Sequence, residues 1–320
     1  MLSIIIPVFN GEKTLGDLLD SILKSDFNDY EIIVVDDCSK DNTVSIIRES
    51  GAKNIRLPAR SGPAIARNTG AREAGGEILV FFDADIEIFP DTLGKIACKF
   101  RDNPQVKVLV GTYDEEPVNK GFFPRFKALW FNSLFNDNAR QTDSLEGFCV
   151  AIDKAIFISS GGFNPEFTDS SAEDYELGCR LRQKHTLYFD SRIKVRHNFP
   201  GFRENARRFF RRTCDFIPLF LKQEKSSRGK ALSRDGFVSL FATLSFLLLP
   251  LVFMHYRLAE ILFIFFIINF IFFGMKFVRL AFYKEGIIFG LASILTYYVN
   301  GLIVGLAIII GIFRYFLILK

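Results

Sequence analysis

Asp83 and Asp85 stand one residue apart immediately after the apolar run Ile78–Phe82, so two carboxylates leave a buried strand at its open end. Hard oxygen donors in such a place suit Mg2+ or Mn2+, ions that bridge phosphate oxygens and neutralise charge on a departing diphosphate. The same Asp-x-Asp pattern is common in solvated turns, so its chemistry depends on what stands beside it. Similar groups do: Phe9-Asn10-Gly11-Glu12 follows the run Leu2–Val8, and Asp36-Asp37-Cys38-Ser39 ends the run 31–36. Asp36 and Asp37 also suit a capped turn, because short acidic side chains bond to nearby backbone N–H groups. No GxxxxGK[ST] loop is present and no GxGxxG follows the first run. With neither a P-loop nor a dinucleotide fingerprint, a cation is the natural phosphate contact.

The elements that must hold these groups are short. Runs at 2–8, 31–36, 54–57, 78–82 and 106–110 are rich in Ile, Val, Leu and Phe, and stretches of helical spacing such as Leu15, Leu18, Leu19 and Ile22 separate them. Apolar strands alternating with helices predict an α/β fold with a mostly parallel central sheet, covered on both faces. Asp41 and Asn42 are placed to cap the second helix, and Ser61-Gly62-Pro63 to begin the third. Ligands of such sheets bind beyond the carboxyl ends of the strands. The polar groups fall there.

Four motifs, Ser3-Ile4-Ile5-Ile6-Pro7-Val8-Phe9-Asn10, Val34-Val35-Asp36-Asp37-Cys38-Ser39, Gly62-Pro63-Ala64-Ile65-Ala66-Arg67-Asn68-Thr69-Gly70 and Phe82-Asp83-Ala84-Asp85, resemble in order and spacing those of the family 2 glycosyltransferases. The likeness covers about residues 1–200. It implies a nucleotide-diphospho-sugar transferase fold of the GT-A type and inverting transfer of a hexose-type sugar from a UDP- or GDP-linked donor. It also implies Mn2+ or Mg2+ held by Asp83 and Asp85. Carried over, Pro7, Phe9 and Glu12 line the nucleotide pocket, and Asp36 and Asp37 bond the base or ribose. Arg67 is placed to reach the diphosphate, or else forms a surface salt bridge.

The segment Gly161-Gly162-Phe163-Asn164-Pro165, followed by Ser171-Ala172-Glu173-Asp174-Tyr175-Glu176-Leu177-Gly178, resembles the family's acidic acceptor-side motif. That resemblance places the catalytic base on Asp174. An inverting transfer needs one carboxylate to take the acceptor's proton as its oxygen attacks the anomeric carbon. The same acids also suit the positive end of a helix. Gly147, in Ser144-Leu145-Glu146-Gly147-Phe148, stands where the family often has a small residue against the donor sugar, although Phe148-Cys149 departs from that pattern. His197, one of three histidines, would by the same resemblance be a further metal or diphosphate ligand. An isolated histidine is about as often structural.

Composition changes along the chain. Between Arg192 and Arg234 there are thirteen basic residues against three acidic ones, whereas 236–320 holds six and two. Charge-free runs at 236–254, 261–275 and 286–313 lack the polar face of a soluble amphipathic helix and approach the roughly 20 apolar residues a membrane span needs. The expected organisation is a catalytic domain at 1–200, an amphipathic basic interfacial helix and linker at 201–235, and about three membrane helices at 236–255, 258–279 and 286–313. The last is either one tilted span or two helices broken near Asn300-Gly301. The opening residues lack the flanks of a secretory leader, and Lys276, Arg279 and Lys284 follow the second run. Both features predict a multi-pass membrane protein with its catalytic domain in the cytoplasm.

Five scattered cysteines without CxxC pairing read as reduced thiols. Phe202, Phe209, Phe210 and Phe216 interleave with Arg203, Arg207, Arg208, Arg211 and Arg212, a pattern of anionic lipid surfaces and of nucleic acid. Next to apolar spans the lipid reading is favoured and nucleic acid is not expected. The acceptor is expected at the membrane, as polyprenyl phosphate or a lipid-linked glycan, and self-association is left open. Processive polysaccharide synthesis is disfavoured, because the Gln-x-x-Arg-Trp motif of resembling synthases is missing and Trp130 is the only tryptophan. A non-catalytic nucleotide-sugar-binding membrane protein is disfavoured by intact Asp83, Asp85 and Asp174.

Overall fold

The computed structural model describes residues 1–134, 141–143, 145, 147–167, 172–222 and 234–318. Two compact units are built from these, Met1–Lys120 with Phe135–Phe199 and Gly121–Leu134 with Pro200–Lys320.

The first unit contains β1 (Leu2–Val8), α1 (Leu15–Leu23), β2 (Tyr30–Asp36), α2 (Thr43–Ser50), β3 (Lys53–Arg56), α3 (Pro63–Glu73), β4 (Ile78–Phe82), β5 (Ile86–Ile88), α4 (Thr92–Asp102) and β6 (Val108–Tyr113). Within the second unit, α5 (Phe122–Leu134) follows. The chain then returns to the first with β7 (Cys149–Asp153), α6 (Lys154–Ser159), α7 (Glu173–Arg182) and β8 (Leu187–His197). One eight-stranded sheet runs β3-β2-β1-β4-β7-β6-β8-β5. Its core strands are apolar at consecutive positions because helices cover both faces: Ile4, Ile5 and Ile6 of β1 are all fully buried.

The expected parallel order holds for β3, β2, β1 and β4, and the remainder is mixed. β7 runs antiparallel to both β4 and β6, and β5 antiparallel to β8. This reversal matters for the site. A parallel neighbour would bring only its carboxyl end to the crevice, whereas antiparallel β7 brings its beginning, pairing Cys149 with Phe82. β8 ends on the same edge, with His197 opposite Ile86. Strand ends carrying Asp37, Asp83 and Asp85 therefore meet segments carrying Gly147 and His197.

The second unit adds α8 (Phe202–Lys222), α9 (Arg234–Phe253) and α10 (Arg257–Ile318) to α5. Phe123, Phe126 and Leu129 of α5 are buried in one cluster with Val238, Phe270, Phe277 and Tyr297. That burial explains why 121–134 belongs here and not with the unit expected to span 1–200. Asp235 accepts from the Trp130 indole at 3.3 Å and from the Tyr297 hydroxyl, while the buried Lys127 ammonium lies 3.9 Å above the Trp130 ring.

Two helices, Asp235–Phe253 and Arg257–Leu317, are long and apolar enough to cross a membrane. The second is interrupted at Gly286, whose φ of 81° leaves helical space. This divides it into 257–285 and 287–318, near the expected division. Asn300-Gly301, by contrast, lies inside continuous helix. Glycine serves there for close approach: a Cβ on Gly301 would sit 3.0 Å from Ala242 Cβ, and one on Gly305 only 1.8 Å from Thr243 Oγ1. Small residues four apart let two apolar helices pack backbone to backbone. The apolar side of α8, expected on lipid, is partly occupied by protein, because Cys214 donates to the Ala307 carbonyl and Gly311 admits Ile217.

Replacing Gly305 by Leu should therefore separate α9 from α10. A loss of about 1–3 kcal/mol is expected for such overpacking, read as a lower melting temperature of the detergent-solubilised protein.

Candidate active site

The first part of the site is a pair of turns at the ends of β1 and β2. Asn10 and Cys38 adopt left-handed backbone conformations at φ 53° and 66°. Such conformations are disfavoured for side chains other than glycine and gather where a fold serves a ligand. They are held by mutual bonds. The Asn10 amide donates to Ser39 Oγ at 2.8 Å, the Lys40 amide to Asn10 Oδ1 at 2.9 Å, and the Gly11 amide to Thr43 Oγ1 at 2.8 Å. Glu12 is exposed; its amide donates to Asp41 and its carboxylate accepts from the Asn42 amide. Phe9 and Pro7 are half-buried, with the Arg60 guanidinium 4.3 Å above the Phe9 ring.

Asp36 and Asp37 divide their work. Asp36 is fully buried, accepts the Ser39 amide on Oδ1 at 2.9 Å, and has Arg56 Nε 3.4 Å from Oδ2. Oδ2 has no hydrogen-bond partner among the described residues. Its partner there is the charge of Arg56, held close without a hydrogen bond. Asp37 takes the amides of Ser61 at 2.6 Å and Gly62 at 2.9 Å, fixing the entry to α3.

On α3, Arg67 is almost wholly enclosed. Its Nη2 donates to Asp83 Oδ1 at 2.8 Å and its Nη1 to Glu173 Oε1 at 3.0 Å. Burial alone would lower its pKa, but the charges of Asp83, Glu173 and Asp174 outweigh that and keep the guanidinium ionised. Asp174 heads α7 beside it, accepting the Gly147 amide on Oδ2 at 3.2 Å and the Tyr175 amide on Oδ1 at 2.8 Å. Burial, reinforced by the Glu173 charge, pushes its carboxyl up to about 6 against the pull of those amides and Arg67. A Cβ on Gly147 would lie 3.4 Å from both Arg67 Nη2 and Asp174 Oδ2, so the glycine backbone sits against both groups.

Asp85 and His197 form a second pair, Nε2 to Oδ1, at 3.3 Å. The imidazole is held by Phe199, stacked with a centroid distance of 4.4 Å, and by the edge of Tyr113 at 4.9 Å. Phe148, which departs from the expected small residue, stacks on the other side of this aromatic group, 3.7 Å from Tyr113. Among the described residues no three His, Cys, Asp or Glu side chains converge as a ready-made cage. Mg2+ and Mn2+ do not require one, since such ions commonly take one or two carboxylates and complete their shell with water and substrate phosphate. Asp85 with His197, and Asp83 with one oxygen committed to Arg67, fit that incomplete seat.

Sequence reasoning passed over the residues that hold the segment 160–163. Asn68 clamps Phe163, donating to its carbonyl at 2.7 Å and accepting its amide at 2.9 Å. Arg180 binds the carbonyls of Ser160 and Gly162 and the carboxylate of Glu176. Gly162, at φ 67°, leaves room for Asn68 where a Cβ would approach Oδ1 to 2.6 Å. The signal was the glycine pair itself, which marks a tight backbone that something must hold. Glu146 and Ser171 lie outside the described residues.

A model of the family described as Glycosyl transferase family 2 matches residues 3–161. A Campylobacter jejuni protein, GalNAc(5)-diNAcBac-PP-undecaprenol beta-1,3-glucosyltransferase, is 35% identical over 241 residues, covering 72% of this chain and 77% of that one. An uncharacterized glycosyltransferase of Haemophilus influenzae is 30% identical over 188 residues, covering 58% of this chain and 63% of that protein. The match to Staphylococcus aureus TarS, a poly(ribitol-phosphate) beta-N-acetylglucosaminyltransferase, is 37% identical over 115 residues, 34% of this chain and 20% of TarS. Among solved structures, the mannosyltransferase PcManGT from Pyrobaculum calidifontis, in complex with GDP-Man and Mn2+, superposes with a TM-score of 0.58 at 20% identity, over 98% of this chain and 86% of that one. At that identity the likeness is one of fold, and the fold is GT-A.

An incomplete cation seat makes a specific demand. Mn2+ should bind weakly to the protein alone and at least about tenfold more tightly with a nucleoside diphosphate present. Calorimetry should show that gain lost in Asp85→Ala and reduced in His197→Ala; equal Mn2+ affinity with and without nucleotide would place the cation elsewhere.

Proposed function

Because the chain belongs to glycosyl transferase family 2, we propose that it transfers a sugar from a UDP- or GDP-linked donor to a membrane-presented acceptor, inverting the anomeric centre. One observation carries this reading. A single guanidinium, Arg67, touches Asp83 at the strand-end crevice and Glu173 beside Asp174, so donor-side and acceptor-side carboxylates belong to one cluster.

The acceptor hydroxyl oxygen attacks the anomeric carbon from the face opposite the diphosphate. As the new C–O bond forms, the bond to the donor phosphate oxygen breaks, and the electron pair leaves with the nucleoside diphosphate. The hydroxyl proton passes to Asp174, whose raised pKa suits a base working near neutrality. Gly147 orients that carboxylate through its amide and leaves room for the sugar. Phe9, Pro7 and Glu12 line the nucleotide pocket, and the Asp36-Asp37 turn meets the base or ribose. Asp85 and His197, with Asp83, would hold a divalent cation that supplies charge neutralisation for the leaving diphosphate.

The acceptor reading draws on the Campylobacter jejuni relative, named for an undecaprenol-diphosphate-linked glycan. A lipid-linked acceptor also suits a chain whose apolar helices Asp235–Phe253 and Arg257–Leu317 have the length of membrane spans. The first unit would face the cytoplasm, in keeping with Lys276, Arg279 and Lys284 near the Gly286 turn. Exposed Arg203, Arg207 and Arg208 of α8 would meet anionic headgroups.

Purified protein given a panel of UDP- and GDP-sugars with polyprenyl-linked acceptors should yield a glycolipid visible by mass spectrometry, of anomeric configuration opposite to the donor. Asp174→Asn should retain nucleotide binding and lose about 10²- to 10⁴-fold in transfer to a hydroxyl acceptor; full activity would reassign the base. A base must be ionised to act, so wild-type transfer should be maximal above pH 6 and fall as pH drops through about 6. A rate independent of pH between 5 and 7 would contradict the assignment.

A further inference from the structure

Arg67 was expected at the diphosphate, yet its side chain is only 4% exposed and its two terminal nitrogens are engaged within the fold. Glu173, equally buried at 4%, has been given no role beyond beginning a helix. The two lie 106 residues apart in sequence. Neither is on the surface, so the pair is not the weak kind that solvent dissolves.

We propose that Arg67 and Glu173 are a positioning pair: Glu173 holds the Arg67 guanidinium away from Asp174, so that the base keeps its proton affinity and faces the acceptor while Asp83 stays tied to α3. This rests on the reading of Asp174 as the base. The geometry supplies the reason. Gly147 brings Arg67 Nη2 and Asp174 Oδ2 against one backbone position, each 3.4 Å from where its Cβ would be. The guanidinium thus has a second carboxylate close at hand. With the Glu173 carboxylate in place, Nη1 is occupied at 3.0 Å and, among the described residues, Asp174 has the amides of Gly147 and Tyr175 as donors. With Glu173 neutral, Arg67 has two carboxylates to choose between, Asp83 and Asp174. An Arg67–Asp174 ion pair would lower the basicity of the group that must accept the proton. Phe163, with its ring centre 5.2 Å from the guanidinium, walls one side and limits where Arg67 can turn.

Among the described residues, the groups acting on Asp174 include Arg67 from α3, Glu173 on α7 itself, and the Gly147 and Tyr175 amides. Removing the Glu173 charge and admitting Arg67 act in the same direction. Both pull the acid limb of the transfer reaction to lower pH.

The test uses the full-length protein in detergent or nanodiscs, with UDP- or GDP-sugar and Mn2+, comparing wild type, Glu173→Gln, Glu173→Asp, Arg67→Lys and Asp174→Asn. Glu173→Gln is expected to lower kcat about tenfold or more and leave donor KM within about threefold. Its acid limb should lie at least about half a pH unit below that of wild type. Glu173→Asp, which restores the charge, should recover the limb and part of the rate. Unchanged nucleotide affinity in each variant certifies the fold.

Arg67→Lys should lower kcat with donor KM held. A donor KM raised more than about tenfold at unchanged kcat would make Arg67 a diphosphate ligand and overturn the pair. A limb absent in Asp174→Asn but unmoved in Glu173→Gln would overturn the pair alone. A limb near pH 6 that survives Asp174→Asn would overturn the base assignment, and the pair with it.

Discussion

A guanidinium with almost no access to water must be matched by carboxylates, or the fold that encloses it does not form. Arg67 is matched twice, by Asp83 at the end of β4 and by Glu173 at the head of α7. Since α7 follows β4 by about ninety residues, this charge ties the head of a helix to the end of a strand far from it in sequence. Asp83 must serve both this internal cation and any external one. That division explains why it keeps one oxygen on Arg67 while its side chain remains a third exposed.

The parallel half of the fold was legible because its strands are doubly buried and therefore apolar at every position, a pattern few other elements share. Pro7, Phe9, Glu12, Asp36, Asp37, Asp83 and Asp85 could be placed together because each lies in the last residues of a strand or soon after it. The antiparallel half was not legible. Which strand neighbours which is settled by pairings such as Cys149 with Phe82 and Ile86 with His197, between residues far apart in sequence. The burial of Arg67 was equally hidden, since an arginine on a helix reads the same whether it faces water or two carboxylates. Phe148 looked like an exception to a small-residue rule until its stacking on Tyr113 gave it a part in holding His197.

In the helical unit the same contrast recurs. Long charge-free runs announced helices of span length, but glycines carry different meanings that composition does not separate. Gly301, beside the expected break, is with Gly305 a contact surface, because each faces a small side chain of α9. Helix α5, only moderately apolar, joins this unit through three buried side chains.

Gly286 is the opposite case, with open space around the position a Cβ would take. Without it the 62 residues of α10 would form a rod of about 93 Å, three times the hydrocarbon thickness of a bilayer. A positive φ is open to glycine without steric cost, so the backbone at this position permits the bend, and contacts such as Phe277 with Tyr297 hold the two halves together. One residue without a side chain thus turns a rod too long for a bilayer into two helices of span length.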